Sequence, residues 1–154
     1  MGRLIFVAVL VVSGCTKPAT APAPVPPPTR QRVVHAAAGE PVPAAVVRER
    51  DAAAQAGDRL LVYVGATWCE PCRRFHEAFE SGRLDGELPH LRLLELDLDQ
   101  DGERLGAAGY ASEYIPMFAV PGPDGRASGR MIQGAIKGDG AVPFILPKLK
   151  ELRK

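Results

Sequence analysis

Cysteine is scarce in this chain, with 3 in 154 residues, and aromatic residues make up only 6%. Three cysteines are too few for a small scaffold stapled by disulfides, so a hydrophobic core has to hold the fold. Charge of one sign is also missing: 19 basic against 18 acidic side chains leave a formal net charge of +1. That balance lacks the concentrated basic excess that phosphate backbones attract, so no nucleic-acid partner is expected. No Gly-rich phosphate loop, serine-hydrolase elbow or basic aromatic patch occurs. What is present, 46% hydrophobic and 24% charged residues, suits one compact domain and rules out a large multidomain machine or wholesale disorder.

Proline is abundant but uneven, with six of the 15 lying between Pro18 and Pro28. Proline fixes φ and lacks a backbone donor, so this stretch reads as an extended spacer reaching about 35 to 40 Å over its length. Ahead of it come Arg3, nine apolar residues from Leu4 to Val12, and the small pair Ser13-Gly14. Nine residues cannot span a bilayer, which takes about 20 in a helix. A basic start, a short apolar run and small residues are the parts of a secretory signal. Val12-Ser13-Gly14-Cys15 resembles the bacterial lipoprotein lipobox, which implies cleavage before Cys15, lipidation of its thiol, and a domain tethered off a membrane surface in the cell envelope. Myristoylation at Gly2 is excluded by Phe6, where Ser or Thr is required. The expected organisation is a signal over 1–14, a lipidated Cys15 and tether over 15–42, and a folded domain over 43–154.

In the folded part, Ala44 to Ala56 predicts a helix stopped by Gly57, and Leu60 to Val64 a buried strand. Glu70 to Glu80 predicts an amphipathic helix with Phe75 and Phe79 at i, i+4. Leu91 to Leu98 reads as a strand, Gly102 to Tyr110 as a short helix, and Ile115 to Val120 and Arg130 to Gln133 as an antiparallel hairpin turning at Asp124-Gly125. Pro143 and Pro147 predict a last helix regular only from about Pro147. The order α-β-α-β-α-β-β-α implies an α/β fold, a central mixed sheet flanked by helices.

The feature that carries chemistry is Trp68-Cys69-Glu70-Pro71-Cys72, placed between a strand and a helix. A cysteine at a helix start faces unpaired N–H groups and the positive end of the dipole, which favours thiolate. Cys72 lies one turn along the same face, within reach of a mixed disulfide on Cys69, so Cys69, nearer the helix start and the more exposed, is expected to attack and Cys72 to resolve. Arg73 and Arg74 add positive charge nearby, whereas Glu70 opposes the thiolate.

Trp-Cys-x-Pro-Cys after a strand, with Ile115-Pro116 about 45 residues on, resembles the thioredoxin superfamily. The resemblance implies a thioredoxin-like fold and assigns Cys69 and Cys72 as the redox pair. It also implies Trp68, Pro71, Ile115 and Pro116, the last as a cis-proline, as substrate-binding or supporting residues. No cofactor beyond a redox-active Cys69–Cys72 disulfide is implied. The partners implied are protein thiols and disulfides of the envelope, an upstream thiol donor, and the membrane through the anchor, with the protein acting as a monomer, more as reductase than oxidant. The family's buried acid six positions before the first cysteine is here Tyr63, and its partner lysine falls at Glu95. Two readings of Glu95 stay open: a group bonded to Tyr63 that takes over proton handling, or a solvated strand residue.

Two alternatives concern the same cysteines. A structural disulfide would close so short a loop that it gains little chain entropy. A lipid-anchored binding or metal-carrier protein would use Cys69, Cys72 and His76, although a closed zinc site wants a fourth ligand, and the plainer reading of His76 is an ordinary helix-surface residue. Haem attachment fails because Arg73 follows Cys72 where His is required. Asp97 to Gly102 matches the opening of a calcium loop, but its twelfth position is Ala108 rather than the bidentate Glu. No metal site is expected.

Overall fold

A computed structural model describes residues 32–154. The signal segment, Cys15 and the proline-rich run, on which the anchor rests, lie outside the described residues. The chain forms β1 (Val33–His35), α1 (Val42–Gln55), β2 (Arg59–Gly65), α2 (Glu70–Glu80), β3 (Leu91–Asp97), α3 (Leu98–Ala107), β4 (Met117–Pro121), β5 (Ala127–Gln133) and α4 (Ala141–Leu152), with a 3-10 turn at Gly138–Gly140.

The strands make one sheet in the order β1-β3-β2-β4-β5. The first three run parallel, and β4 and β5 are antiparallel to their neighbours, giving the expected mixed sheet. Successive side chains on a strand point to opposite faces, so β2 feeds two cores at once. Leu61 and Tyr63 pack with Phe75 and Phe79 of α2 and Ile145 and Leu149 of α4. Leu60, Val62 and Val64 pack with Val42, Ala45 and Val46 of α1 and Leu105 of α3. A strand buried on both faces reads as a continuous apolar run, which is why Leu60 to Val64 has no polar alternation. Each fully buried Leu, Val or Phe contributes about 1.5–3 kcal/mol.

Strand β1 is the main departure from expectation. Val33, Val34 and His35 pair with Leu93, Leu94 and Glu95, so the fold reaches back to Val33, ahead of the expected boundary at Pro43. Arg32 secures this edge: its guanidinium donates to the carbonyls of Leu88 (2.7 Å) and Leu91 (3.3 Å), pairs with Asp85, and lies 4.0 Å from the Phe79 ring centroid.

Helix α3 starts at Leu98 rather than Gly102, because the Asp97 carboxylate caps it, accepting from the N–H groups of Asp99 (2.9 Å) and Gln100 (3.1 Å). Asp101 in turn accepts from the Asp97 N–H and pairs with Arg104, so two acids of the calcium-like stretch serve the helix start. Strand β4 begins at Met117, after Ile115-Pro116, and β5 extends back to Ala127. Helix α4 is continuous through Pro147. Pro143 falls in the first turn, where no helical partner is needed, and Pro147 sits on the exposed side, where water can take the carbonyl it leaves unpaired. Buried Ile145, Leu149 and Leu152 hold both sides of it to the sheet.

Candidate functional site

Helix α2 begins in the turn that leaves β2. Cys69 is its N-cap, with extended backbone, and its sulfur accepts the backbone N–H of Cys72 at 3.3 Å. Pro71 occupies the first turn, where its missing donor has no role. Cys69 and Cys72 form a disulfide with Cα atoms 5.2 Å apart. Both are buried, Cys69 at 5% exposure and Cys72 at 2%, so the difference in access expected between them is small. What distinguishes them is position: Cys69 lies at the positive end of the helix, and Cys72 faces inward beneath it.

Trp68, 62% exposed, donates its indole N–H to Asp99 at 2.8 Å, which fixes the ring beside the disulfide turn. The Ile115–Pro116 bond is cis, Pro116 is buried, and its carbonyl accepts the N–H of Gly134 at 2.9 Å. From Gly134 the chain runs to Gly138, whose N–H reaches both carboxylate oxygens of Glu70 at 3.2–3.3 Å. Arg74 donates to the same Glu70 at 2.6 Å and to Asp139 at 2.8 Å. Arg74 first, and then the Gly138 N–H, hold the Glu70 carboxyl below the usual carboxylate range. Glu70 thereby pins α2 to the 134–140 segment. Arg73 turns back to the Thr67 carbonyl at 3.0 Å.

Behind Cys72 lies an open cavity of about 330 Å³ lined by Tyr63, Ala66, Thr67, Cys72, Arg73, His76, Glu77, Glu95 and Asp97. Tyr63 and Glu95 are register partners on adjacent parallel strands, so they share the α2 face of the sheet. They are not bonded as expected: the Tyr63 hydroxyl donates to the Cys72 carbonyl at 3.3 Å. Its ring is clamped between Phe118 and Phe75, and burial raises its pKa far above the ordinary value, which keeps it neutral. Glu95 continues the row begun by Leu91 and Leu93, so a carboxylate stands where the pattern would place another apolar side chain. Burial pushes its carboxyl up, partly offset by His76 and His35. Its Oε2 is buried, has no hydrogen-bond partner, and lies 3.1 Å from Nδ1 of His76 without bonding geometry.

His76, read from sequence as a metal ligand or a helix-surface residue, thus turns toward Glu95 with one ring nitrogen and toward Glu80 with the other (3.0 Å). The set Cys69, Cys72 and His76 is not assembled: the sulfurs are bonded to each other, and among the described residues no three His, Cys, Asp or Glu side chains are grouped to hold a metal. The missed signal was spacing. Cys72, His76 and Glu80 recur every four residues, on one face of α2.

No protein-family model matches the chain, and no curated protein matches it. Among solved structures it is similar to thioredoxin from Fasciola hepatica, 24% identical and covering 62% of this chain and 80% of that one, with a TM-score of 0.42. Thioredoxin from Trichomonas vaginalis is 22% identical over 68% and 86%, at 0.47. StoA from Bacillus subtilis is 13% identical over 64% and 84%, at 0.36. The chain's own strand order, its cis-proline and its cysteine pair at a helix start make the fold thioredoxin-like.

Proposed function

We propose that this chain is a thiol-disulfide oxidoreductase that reduces proteins of the bacterial cell envelope while anchored to a membrane through lipid on Cys15. The observation that carries the chemistry is the Cys69–Cys72 disulfide at the start of α2, next in the chain to exposed Trp68, in a fold that also holds a cis bond at Pro116. The anchor is supported by the order of basic start, apolar run, small pair, cysteine and proline spacer in the sequence.

In the reduced protein, the Cys69 thiolate attacks a substrate disulfide. A Cys69–substrate bond forms as the substrate S–S bond breaks, and one sulfur leaves as thiolate. Cys72 then attacks the Cys69 sulfur, the Cys69–Cys72 bond forms, and the second substrate sulfur leaves. The substrate gains two electrons, the protein loses two, and an upstream thiol donor restores the dithiol. Cys72 sheds its thiol proton during resolution, and Glu95, across the cavity and raised by burial, is the carboxylate placed to receive it. Ile115, Pro116, Trp68 and Pro71 shape the surface against which the substrate chain lies. The pair needs no other cofactor, and the protein acts as a monomer.

Cys72→Ala removes the resolving thiol and tests this reading. Mixed disulfides on Cys69 are expected to accumulate in intact cells and to name the substrates. Recovery of none would refute the oxidoreductase reading. Glu95→Gln is expected to alter the pH dependence of thiol exchange, and an unchanged profile would remove Glu95 from the mechanism.

A further inference from the structure

The His76 imidazole stands between two carboxylates of different character. Its Nδ1 is 3.1 Å from Oε2 of Glu95, a buried oxygen without a hydrogen-bond partner, and its Nε2 is 3.0 Å from Oε2 of Glu80, whose side chain is 54% exposed. His76 and Glu95 line the cavity that also reaches Cys72. At about 330 Å³ that cavity has room for several waters of roughly 30 Å³ each. A line of titratable groups therefore runs from Cys72 through the cavity to Glu95, His76, Glu80 and solvent.

We infer that His76 is the proton-transfer group that connects Glu95 and the cavity behind Cys72 with the surface at Glu80. The inference rests on the oxidoreductase reading above. As Cys72 attacks the mixed disulfide, its thiol proton passes through water in the cavity to the Glu95 carboxylate and, through water in the same cavity, on to His76. From there it leaves by Glu80 to solvent, and no group in the line is changed after the cycle. An imidazole suits this place because it can take up a proton at one ring nitrogen and release one from the other, and its two nitrogens face different carboxylates. Glu95 alone could accept the proton, but three-quarters of its side chain is withdrawn from water (22% exposed), so the neighbouring imidazole gives it an outlet. The other charged groups around the pair are Arg73 and Glu77 on α2, Asp97 on β3, and His35 on β1, which stands opposite Glu95 in the sheet. Tyr63, the remaining titratable wall, is held neutral and bonded to the Cys72 carbonyl, so it takes no part.

The reduced full chain is mixed with dithiobis(nitrobenzoate) under single-turnover conditions. Attack by Cys69 releases one nitrothiobenzoate, and resolution by Cys72 releases the second, so the two steps appear as separate phases of one trace. For His76→Gln the ratio of second to first rate is expected to fall by on the order of a hundredfold near neutral pH, the lower end of the scale of lost acid–base assistance. The pH dependence of the second phase should differ from that of the wild type, while that of the first phase stays the same. In His76→Ala, free imidazole in the buffer is expected to restore the second phase, a rescue that a merely structural histidine would not show; thermal melts fix a temperature at which both variants are folded. Wild-type phase ratios and pH profiles in both variants, or no effect of imidazole on a slowed His76→Ala, would overturn the role of His76 while leaving the redox pair intact. Release of only one equivalent by the wild-type protein would instead overturn the oxidoreductase reading, and this inference with it.

Discussion

Gly65, the last residue of β2, offers a sharp test of how the sheet and the cysteine helix are fitted together. A Cβ there would sit 2.7 Å from the Tyr63 hydroxyl oxygen, 3.1 Å from Cζ of the same ring and 3.5 Å from Cβ of Cys72. The ring has little room to retreat. Tyr63 is 1% exposed, its centroid is 5.0 Å from that of Phe118 and 6.0 Å from that of Phe75, and its hydroxyl holds the Cys72 carbonyl. Gly65→Ala therefore overpacks the core and is expected to destabilise the fold by about 1–3 kcal/mol. For a domain of this size that corresponds to a fall in Tm of roughly 4 to 12 °C. Tyr63→Phe removes the oxygen that makes the closest contact but leaves the ring carbon at 3.1 Å. Its own cost is set by one long hydrogen bond, about 0.5–1.5 kcal/mol. The double variant should then be more stable than the sum of the two single effects by about 1 kcal/mol, the coupling expected of residues in contact. Urea denaturation of the wild type, both single variants and the double variant closes the cycle. A Gly65→Ala within about 0.5 kcal/mol of wild type, or strictly additive effects, would refute the packing argument.

Other expectations follow from single groups. Burial raises the Glu95 carboxyl above its ordinary value of 4.5, so the native state binds its proton more tightly than the unfolded chain. The stability this confers is complete below the unfolded value and is lost as pH rises through the folded one. Urea midpoints should fall over that window in the wild type and fall less in Glu95→Gln; equal slopes would contradict the burial argument. Arg32, 14% exposed, makes charge-assisted bonds to two carbonyls and covers Phe79. Arg32→Ala is expected to destabilise by about 2 kcal/mol and to speed hydrogen exchange most in Val33–His35; unchanged protection there would show that β1 does not depend on it. Trp68 is the only tryptophan and stands beside the cysteines, so its emission should change on reduction of the disulfide. Asp99→Ala should alter the oxidised spectrum by freeing the indole, and identical spectra would contradict the indole–carboxylate bond.

The parts of this fold that were legible in sequence are those whose signal is local. Leu60 to Val64 is apolar without interruption because both faces of β2 are covered, and Glu70 to Glu80 shows its buried face through Phe75 and Phe79. Cys69, Pro71 and Cys72 could be placed because a helix start imposes their spacing. Strand β1 was hidden because three residues next to a proline-rich stretch carry no period, and only pairing with Leu93 to Glu95 makes them a strand. The partner of Tyr63 was misread for a related reason: register puts it beside Glu95, but the hydroxyl points along the sheet face to the Cys72 carbonyl. The approach of His76 to Glu95 likewise depends on how α2 lies over β3, a tertiary relation, whereas its alignment with Cys72 and Glu80 follows from helical spacing.

The central claim is that the Cys69–Cys72 bond is an exchangeable couple rather than a brace. Equilibrating the folded chain in graded thiol–disulfide buffers, quenching, and counting free thiols at the two positions by mass spectrometry measures this directly. The account predicts one reversible two-electron transition, with a midpoint between about −270 and −120 mV, the range of dithiol oxidoreductases. A pair that stays oxidised below about −300 mV, as structural disulfides do, or that opens only when the chain unfolds, would contradict it.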